Sequence, residues 1–412
     1  MEILFLCGIY PQPYKEEFFI NSKKGYQFAA QNLQEAIVDG FVANDANLFI
    51  LTIPFLSTFP LGYKKPIVKY SPSKFNDIVP TECATFINIP FLQEIASTAE
   101  RDVFKWCRSK DGKIKHIIVY SLSLNLMKIA IKAKNAFKDV QISVIVPDLP
   151  EFMGSNPIYR ALGLKKSNVK GVYNNITFFD NFILLSKAMA SPLGINENKY
   201  IVVEGVFNSI SETSQEFEFE NDTKTILYTG ALSQKYGIDT LLQSFFSIPN
   251  PDYRLVICGD GDAKELIQEF VAQDNRIKYM GKVSNELILA LQKKATLLVN
   301  PRTPEGEYTK FSFPSKTLEY FASGTPVLMY KLPGVPDEYF NYCYTLESLT
   351  HEALATKMME IIELPLEERK IMGEKAKSFI LEQKNAKIQV YKIIELMSKN
   401  QNLLDKNLQV KK

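Results

Sequence analysis

KFSFPSKTLEYFASGTPVL, residues 310–328, couples a Phe/Pro/Ser loop to an amphipathic run that stops at Gly324 and re-emerges as the apolar TPVL. Loop, helix, tight turn and buried strand in such quick succession are the grammar of an α/β chain. Working outward, short continuous apolar runs rich in Ile, Val and Phe alternate with helix-period segments. That pattern belongs to strands buried on both faces of a parallel sheet. Strands are predicted at 225–230 (TILYTG), 254–262 (RLVICGDGD), 277–281 (IKYMG) and 296–302 (TLLVNPR), with a helix from about 237. Further upstream, strands are predicted at 2–7, 47–53, 84–88, 115–120, 142–147, 182–186 and 200–205. Helices are expected over 25–44 and over 121–137, the second capped by Ser121 or Ser123. Downstream of the stretch, the last part of the chain is helical with charged faces such as EERKIMGEKAKSF.

Between the two series lies SISETSQEFEFENDTK, residues 209–224, polar, acidic and without helical periodicity, which is how an exposed linker is written. A chain of 412 residues also exceeds what one core usually serves. The expected organisation is therefore two Rossmann-like, doubly wound parallel-sheet domains facing a cleft. Residues 1–207 form the first, 208–224 the linker and 225–389 the second, with a C-terminal helix, 390–412, returning to the first.

Composition excludes several classes. With 46% hydrophobic and 23% charged residues the chain is an ordinary globular protein. A net charge of +2 gives no reason to expect nucleic acid as a partner. Cys7, Cys83, Cys107, Cys258 and Cys343 are odd in number, far apart and without a C-x-x-C, so they read as reduced core residues. The opening MEILFLCGIYP reads as a first strand, and no later apolar run approaches the length of a membrane span. A cytoplasmic protein with, at most, peripheral membrane contact is expected.

In open parallel α/β sheets ligands bind beyond the carboxyl ends of the strands. Four such ends carry Gly, Lys, Arg or Asp: 229–239 (TGALSQKYGID), 258–262 (CGDGD), 300–310 (NPRTPEGEYTK) and the FSFPSK loop. Gly230, Gly259 and Gly261 permit close backbone approach, while Ser312, Ser315 and the step from FPSK into a helix offer hydroxyls and free N–H groups to an anion. Asp260-Gly261-Asp262 spells a possible metal clamp, but an Asp/Gly turn is the better account and no metal is expected.

SFPSKTLEYFASGTPVL resembles the signature of the retaining glycosyltransferases of family 4, which have the GT-B fold: two spaced Glu followed by a small-residue-Gly-x-Pro-Val turn. The likeness extends over nearly the whole chain. It implies that the second domain binds a nucleotide diphosphate sugar as donor substrate, without cofactor or metal. Glu319 matches the second Glu, which in the family grips the ribose; a carboxylate can accept from both vicinal hydroxyls at once. Departures are equally plain. Phe311 stands where the first, sugar-contacting Glu belongs, Ala231 where the family has Arg, and Tyr236 where it has Lys, with Lys235 one place earlier. Glu305 and Glu307 are alternative replacements for the absent carboxylate. The cations left to offset roughly two charges on a leaving diphosphate are, in order, Lys316, Arg302, Lys310 and Lys235.

In the first domain, the acceptor side by resemblance, PDLPEFMGSNP (147–157) places Asp148 and Glu151 after a strand; Asp148 either orients an acceptor hydroxyl or caps a turn. His116 and His351 are the only histidines and neither suits a general base. The segment 8–27 reads as a loop whose Lys15, Lys23 and Lys24 either meet an anionic lipid headgroup or a diphosphate on the acceptor, or are simply solvated. The function expected is transfer of a hexose to a glycan or lipid-linked acceptor in cell-surface polysaccharide biosynthesis. The alternatives are a nucleotide-sugar 2-epimerase of similar fold and an inactive relative that binds a partner enzyme.

Overall fold

Residue pairing across the sheets explains why the apolar runs are continuous. The computed structural model describes the backbone of residues 1–23, 27–90, 92–93, 96–110, 113–153, 163–208, 217–219 and 223–409, with side chains to 399. The chain divides into two compact units, Met1–Val206 with Ala386–Lys412, and Phe207–Asn385.

The first unit carries β1 (Glu2–Cys7), β2 (Asn47–Thr52), β3 (Ile67–Val68), β4 (Ser73–Phe75), β5 (Val79–Cys83), β6 (Phe86–Ile87), β7 (Lys115–Tyr120), β8 (Val140–Val146), β9 (Asn181–Leu184) and β10 (Tyr200–Val202). Its main sheet runs β10-β9-β8-β7-β1-β2-β5-β4, parallel except where β4 turns back on β5. Every residue of β1, β7 and β8 is buried, because helices cover both faces of the sheet. The prediction of a strand at 84–88 needs correcting. Val79–Cys83 is the strand that pairs with β2, and Phe86–Ile87 forms a separate antiparallel pair with β3. The polar PTE within VPTEC hid an edge-side strand with only one well-buried face. Ser123 holds the N-cap of the Leu124–Ala136 helix, although without a side-chain capping bond.

The helix expected at 25–44 spans Phe28–Ala43, and Gly25 lies outside the described residues. The C-terminal helix, Ala386–Gln409, packs against it. Gly40 makes that possible: a Cβ there would sit 2.3 Å from Val390 Cγ2 and 2.4 Å from the Ala386 carbonyl. Asn44 Nδ2 donates to the Lys387 carbonyl, and the buried Gln389 donates to that of Gly205.

The second unit carries β11 (Lys224–Ala231), β12 (Tyr253–Asp260), β13 (Ile277–Gly281), β14 (Leu297–Asn300), β15 (Val327–Tyr330) and β16 (Tyr344–Leu346). All are parallel, in the order β13-β12-β11-β14-β15-β16. Successive strands therefore step outward from β11 on one side and from β14 on the other. The order reverses between these two, which is where an open α/β sheet forms its crevice. Most of the stretch read as a linker lies outside the described residues. Within 217–219, Phe217 and Phe219 rest against this unit's core and Glu218 pairs with Lys294. Among the described residues no helix is long and apolar enough to cross a membrane.

Candidate functional site

Beside the switch point β11 ends next to β12, with Gly230 opposite Gly259 and Ala231 opposite Asp260. A side chain on either glycine would collide. A Cβ on Gly259 would lie 1.8 Å from the Gly230 carbonyl oxygen, and one on Gly230 would lie 2.6 Å from Lys316 Cε. Both glycines also hold φ values, 145° and 155°, that L side chains rarely adopt. The strand ends are thus pared to backbone, and the Lys316 side chain is laid across the gap.

Lys316 opens the short helix Lys316–Ala322, which follows the FPSK loop. It is half-buried, and among the described residues it has no hydrogen-bond or ion-pair partner. Burial pulls its pKa below the ordinary lysine value, opposed by the nearby Glu319 carboxylate and by Cys258. Glu319 lies one turn along the helix and is half-buried. Neighbouring Tyr320 is buried, and its hydroxyl accepts from the Thr229 N–H at 2.8 Å and donates to the Thr229 carbonyl at 3.1 Å. Gln292 completes this lock by donating to Thr229 Oγ1 at 3.0 Å. Helix and strand end are therefore pinned together one residue before Gly230, which sets where Lys316 lies.

Arg302 follows β14 and is 8% exposed. Its Cζ stands 4.8 Å from the Tyr308 ring centroid and 5.2 Å from that of Tyr236, and Nη2 donates to Ser312 Oγ at 2.7 Å. Ser312 in turn donates to the Tyr308 carbonyl. The exposed Lys235 shares the same two rings, at 5.0 and 5.7 Å. Two cations held by ring faces, with no carboxylate paired to them among the described residues, keep their charge available to a third party.

Other candidates fall elsewhere. Lys310, Glu305 and Glu307 are exposed, as is Ser315 at the helix N-cap, which makes no capping bond. The amides expected to be free at the start of that helix are partly spent, since Thr317 and Leu318 N–H donate to the Pro314 and Ser315 carbonyls. Asp260 accepts from the Gly261 N–H and faces Lys282 at 3.4 Å, while Asp262 accepts from the Gln234 N–H and Ser233 Oγ. Both carboxylates are thus occupied with turn geometry. Gly261 serves the same turn, since a Cβ on it would meet the Leu232 carbonyl at 2.2 Å.

In the first unit Asp148 sits after β8, exposed as a residue, yet protein around its carboxyl displaces water and pushes it above the usual aspartate value. Glu151 accepts from Tyr173 Oη at 2.9 Å; residues 154–157 of this segment lie outside the described residues. The segment read as the loop 8–27 holds a 3-10 turn, Gln12–Tyr14, and the helix Lys15–Asn21. In it Lys15 is paired with Glu35, Lys23 donates to the Pro60 carbonyl, and Lys24 is outside the described residues. His116 is fully buried in β7 and His351 lies beside Glu352 on a helix start. The tyrosines at 236, 308 and 320 are what sequence reasoning missed as site builders. Tyr236 was visible only as a replaced lysine, and Tyr320 only as the neighbour of Glu319.

Residues 209–379 match the model of the family described as glycosyl transferases group 1. Among solved structures the chain is similar to Anabaena HepE in complex with UDP, with a TM-score of 0.63 and 16% identity over 97% of this chain and 100% of that one. It is also similar to sucrose-phosphate synthase from Thermosynechococcus elongatus, with a TM-score of 0.62 and 16% identity over 98% and 100%. The lipopolysaccharide outer core galactosyltransferase WaaB, in its apo form, gives a TM-score of 0.62 and 14% identity over 97% and 100%. No curated protein matches the chain in sequence. At such identities the structural likeness shows the fold, GT-B, with two Rossmann-like domains. The family match over the second unit supports glycosyl transfer.

Proposed function

We propose that the protein is a retaining glycosyltransferase that moves a hexose from a nucleotide diphosphate sugar to a glycan or lipid-linked acceptor, in the assembly of a cell-surface polysaccharide. The observation that carries the reading is Lys316, without a hydrogen-bond or ion-pair partner among the described residues and lying over Gly230 beside the switch point of the unit that matches the group 1 glycosyl transferases. A diphosphate set against the bare ends of β11 and β12 would meet this ammonium, with Arg302 as the second cation. Glu319 would accept from the ribose hydroxyls. The chemistry asked of these groups is electrostatic: the charge that develops on the leaving diphosphate falls on cations held in place beforehand. The leaving diphosphate itself can help to deprotonate the acceptor on the same face of the sugar, so no histidine base is required. Asp148 is the proposed orienting group for the acceptor hydroxyl.

The test is release of nucleoside diphosphate from UDP-, GDP- and dTDP-hexoses with and without glycan acceptors, with the anomeric configuration of the product read by NMR. Acceptor-dependent release with retained configuration is expected. Inversion would overturn the retaining mechanism. Appearance of the C2 epimer without acceptor would favour the epimerase reading, although neither buried His116 nor surface His351 offers it an acid or base. Absence of release, together with no thermal shift by any nucleotide sugar, would leave the inactive-partner reading. A bound donor at 100 times its Kd should add about 2.7 kcal/mol to native stability.

A further inference from the structure

Two segments of the first unit run antiparallel on its surface, residues 18–23 at the end of the Lys15–Asn21 helix and residues 61–67. The Lys23 N–H donates to the Gly62 carbonyl, the Lys64 N–H to that of Asn21, and Ser22 bridges Tyr63. Their inner side chains are well anchored: Phe18 and Tyr63 are fully buried, with ring centroids 6.3 Å apart. Their outer side chains are conspicuously apolar. Phe19 is 59% exposed, Ile20 57%, Leu61 68% and Ile67 57%. Chain so firmly hydrogen-bonded, yet presenting four large hydrophobes to water, marks a surface that meets something less polar.

Lysines decide what that is. Lys23, Lys64, Lys65 and Lys69 are all exposed around these residues. Lys23 and Lys64 direct their ammonium groups to the backbone carbonyls of Pro60 and Ile20, which leaves their charge uncompensated; among the described residues only Lys65 of these four is paired with a carboxylate, Glu17. A protein partner would be expected to face such a patch with a shaped acidic counterpart, whereas an anionic bilayer offers apolar depth and diffuse negative charge together. Long aliphatic lysine stems suit that boundary, since they lie along apolar surface while their heads reach phosphate. We infer that Phe19, Ile20, Leu61 and Ile67, ringed by Lys23, Lys64 and Lys69, form a docking surface for an anionic lipid membrane. The inference stands apart from the donor site, which lies in the other unit.

The experiment is co-sedimentation of the full chain with phosphatidylcholine vesicles, with and without about 30 mole per cent phosphatidylglycerol. Binding to the anionic vesicles alone, weakened by raising salt from about 0.1 to 0.5 M, is expected. Combined Phe19→Ser, Ile20→Ser and Leu61→Ser should weaken that binding about tenfold or more, and so should combined Lys23→Glu, Lys64→Glu and Lys69→Glu. Leu366→Ser, an exposed apolar change in the second unit, should leave it intact. All of these side chains are exposed, so circular dichroism should confirm folded variants. Absence of sedimentation, or binding indifferent to both sets of changes, would overturn the inference. So would a dimer in solution that Leu61→Ser splits while vesicle binding is nil, which would assign the patch to a second copy of the chain.

Discussion

The Tyr320 hydroxyl is inserted into the backbone of Thr229, bonded to both its N–H and its carbonyl. The β11–β14 ladder pairs only Ile226 and Leu227, so this side chain replaces the missing strand partner two residues on. Tyr320→Phe would strand two buried backbone groups, at a cost of about 1–3 kcal/mol. It would also loosen the helix that aims Lys316. Urea unfolding should register the loss, and donor KM should rise. A variant as stable as the parent would show that the Thr229 groups find other partners.

Gly230 and Gly259 should respond differently to alanine. At Gly230 the obstacle is the end of a flexible lysine, 2.6 Å from the new Cβ, together with an unfavourable φ. Gly230→Ala should therefore fold with a modest loss, about 1 kcal/mol, while pushing Lys316 aside and weakening nucleoside diphosphate binding about tenfold. At Gly259 the obstacle is the Gly230 carbonyl at 1.8 Å, backbone that cannot swing away. Gly259→Ala should be the less stable of the two by thermal denaturation. Equal melting and equal UDP titration by calorimetry would contradict this ordering.

Lys316 links the site to pH. Because burial lowers its pKa from the ordinary 10.5, the unfolded chain binds more protons than the folded one in the interval below that value. Stability from this group thus rises with pH there. Anion affinity must move the opposite way, since deprotonation removes the attracting charge, and the decline should begin below the range of a surface lysine. Lys316→Arg, charged at all accessible pH, should flatten that decline in a UDP titration. Lys316→Ala should lose at least tenfold in kcat/KM if one charge-assisted bond of about 1.5–3 kcal/mol disappears.

How much of this was legible depended on the range of the interactions. Strands such as Lys115–Tyr120 and Ile277–Gly281 agree with their predicted bounds, because a short stretch of β-branched, aromatic and other apolar residues between polar segments is a local signal. Val79–Cys83 was not legible, since an edge-side strand needs only alternate apolar residues and this one carries Pro and Glu. The glycines and Lys316 stood out as motif positions. The cage around Arg302 did not, for it gathers Tyr236, Tyr308 and Ser312 from separate segments, and nothing in spacing brings ring faces onto a guanidinium. Tyr320 likewise stood out only as the neighbour of Glu319, and its hydroxyl gains meaning only once β11 is known to end beside it.

The last prediction uses His116, which lies in β7 with no exposed surface. Its Nε2 is 2.7 Å from Ser143 Oγ, and Nδ1 has no partner among the described residues. Burial drives its pKa down to about 4 from 6.5, with Asp180 opposing and Lys134 reinforcing the shift. Above pH 6.5 the imidazole is neutral in both states and costs nothing. As pH falls below that value the unfolded chain takes a proton the folded chain refuses, so stability is lost progressively until about pH 4. Between pH 7.5 and 5.5 the loss from this one group should be about 1.4 kcal/mol. Trp106, the only tryptophan, lies buried in the same unit and reports its unfolding by fluorescence. His116→Gln should lower stability at neutral pH yet flatten its dependence between pH 7.5 and 5.5. An unchanged slope in that variant would assign the acid sensitivity of the unit to its carboxylates instead.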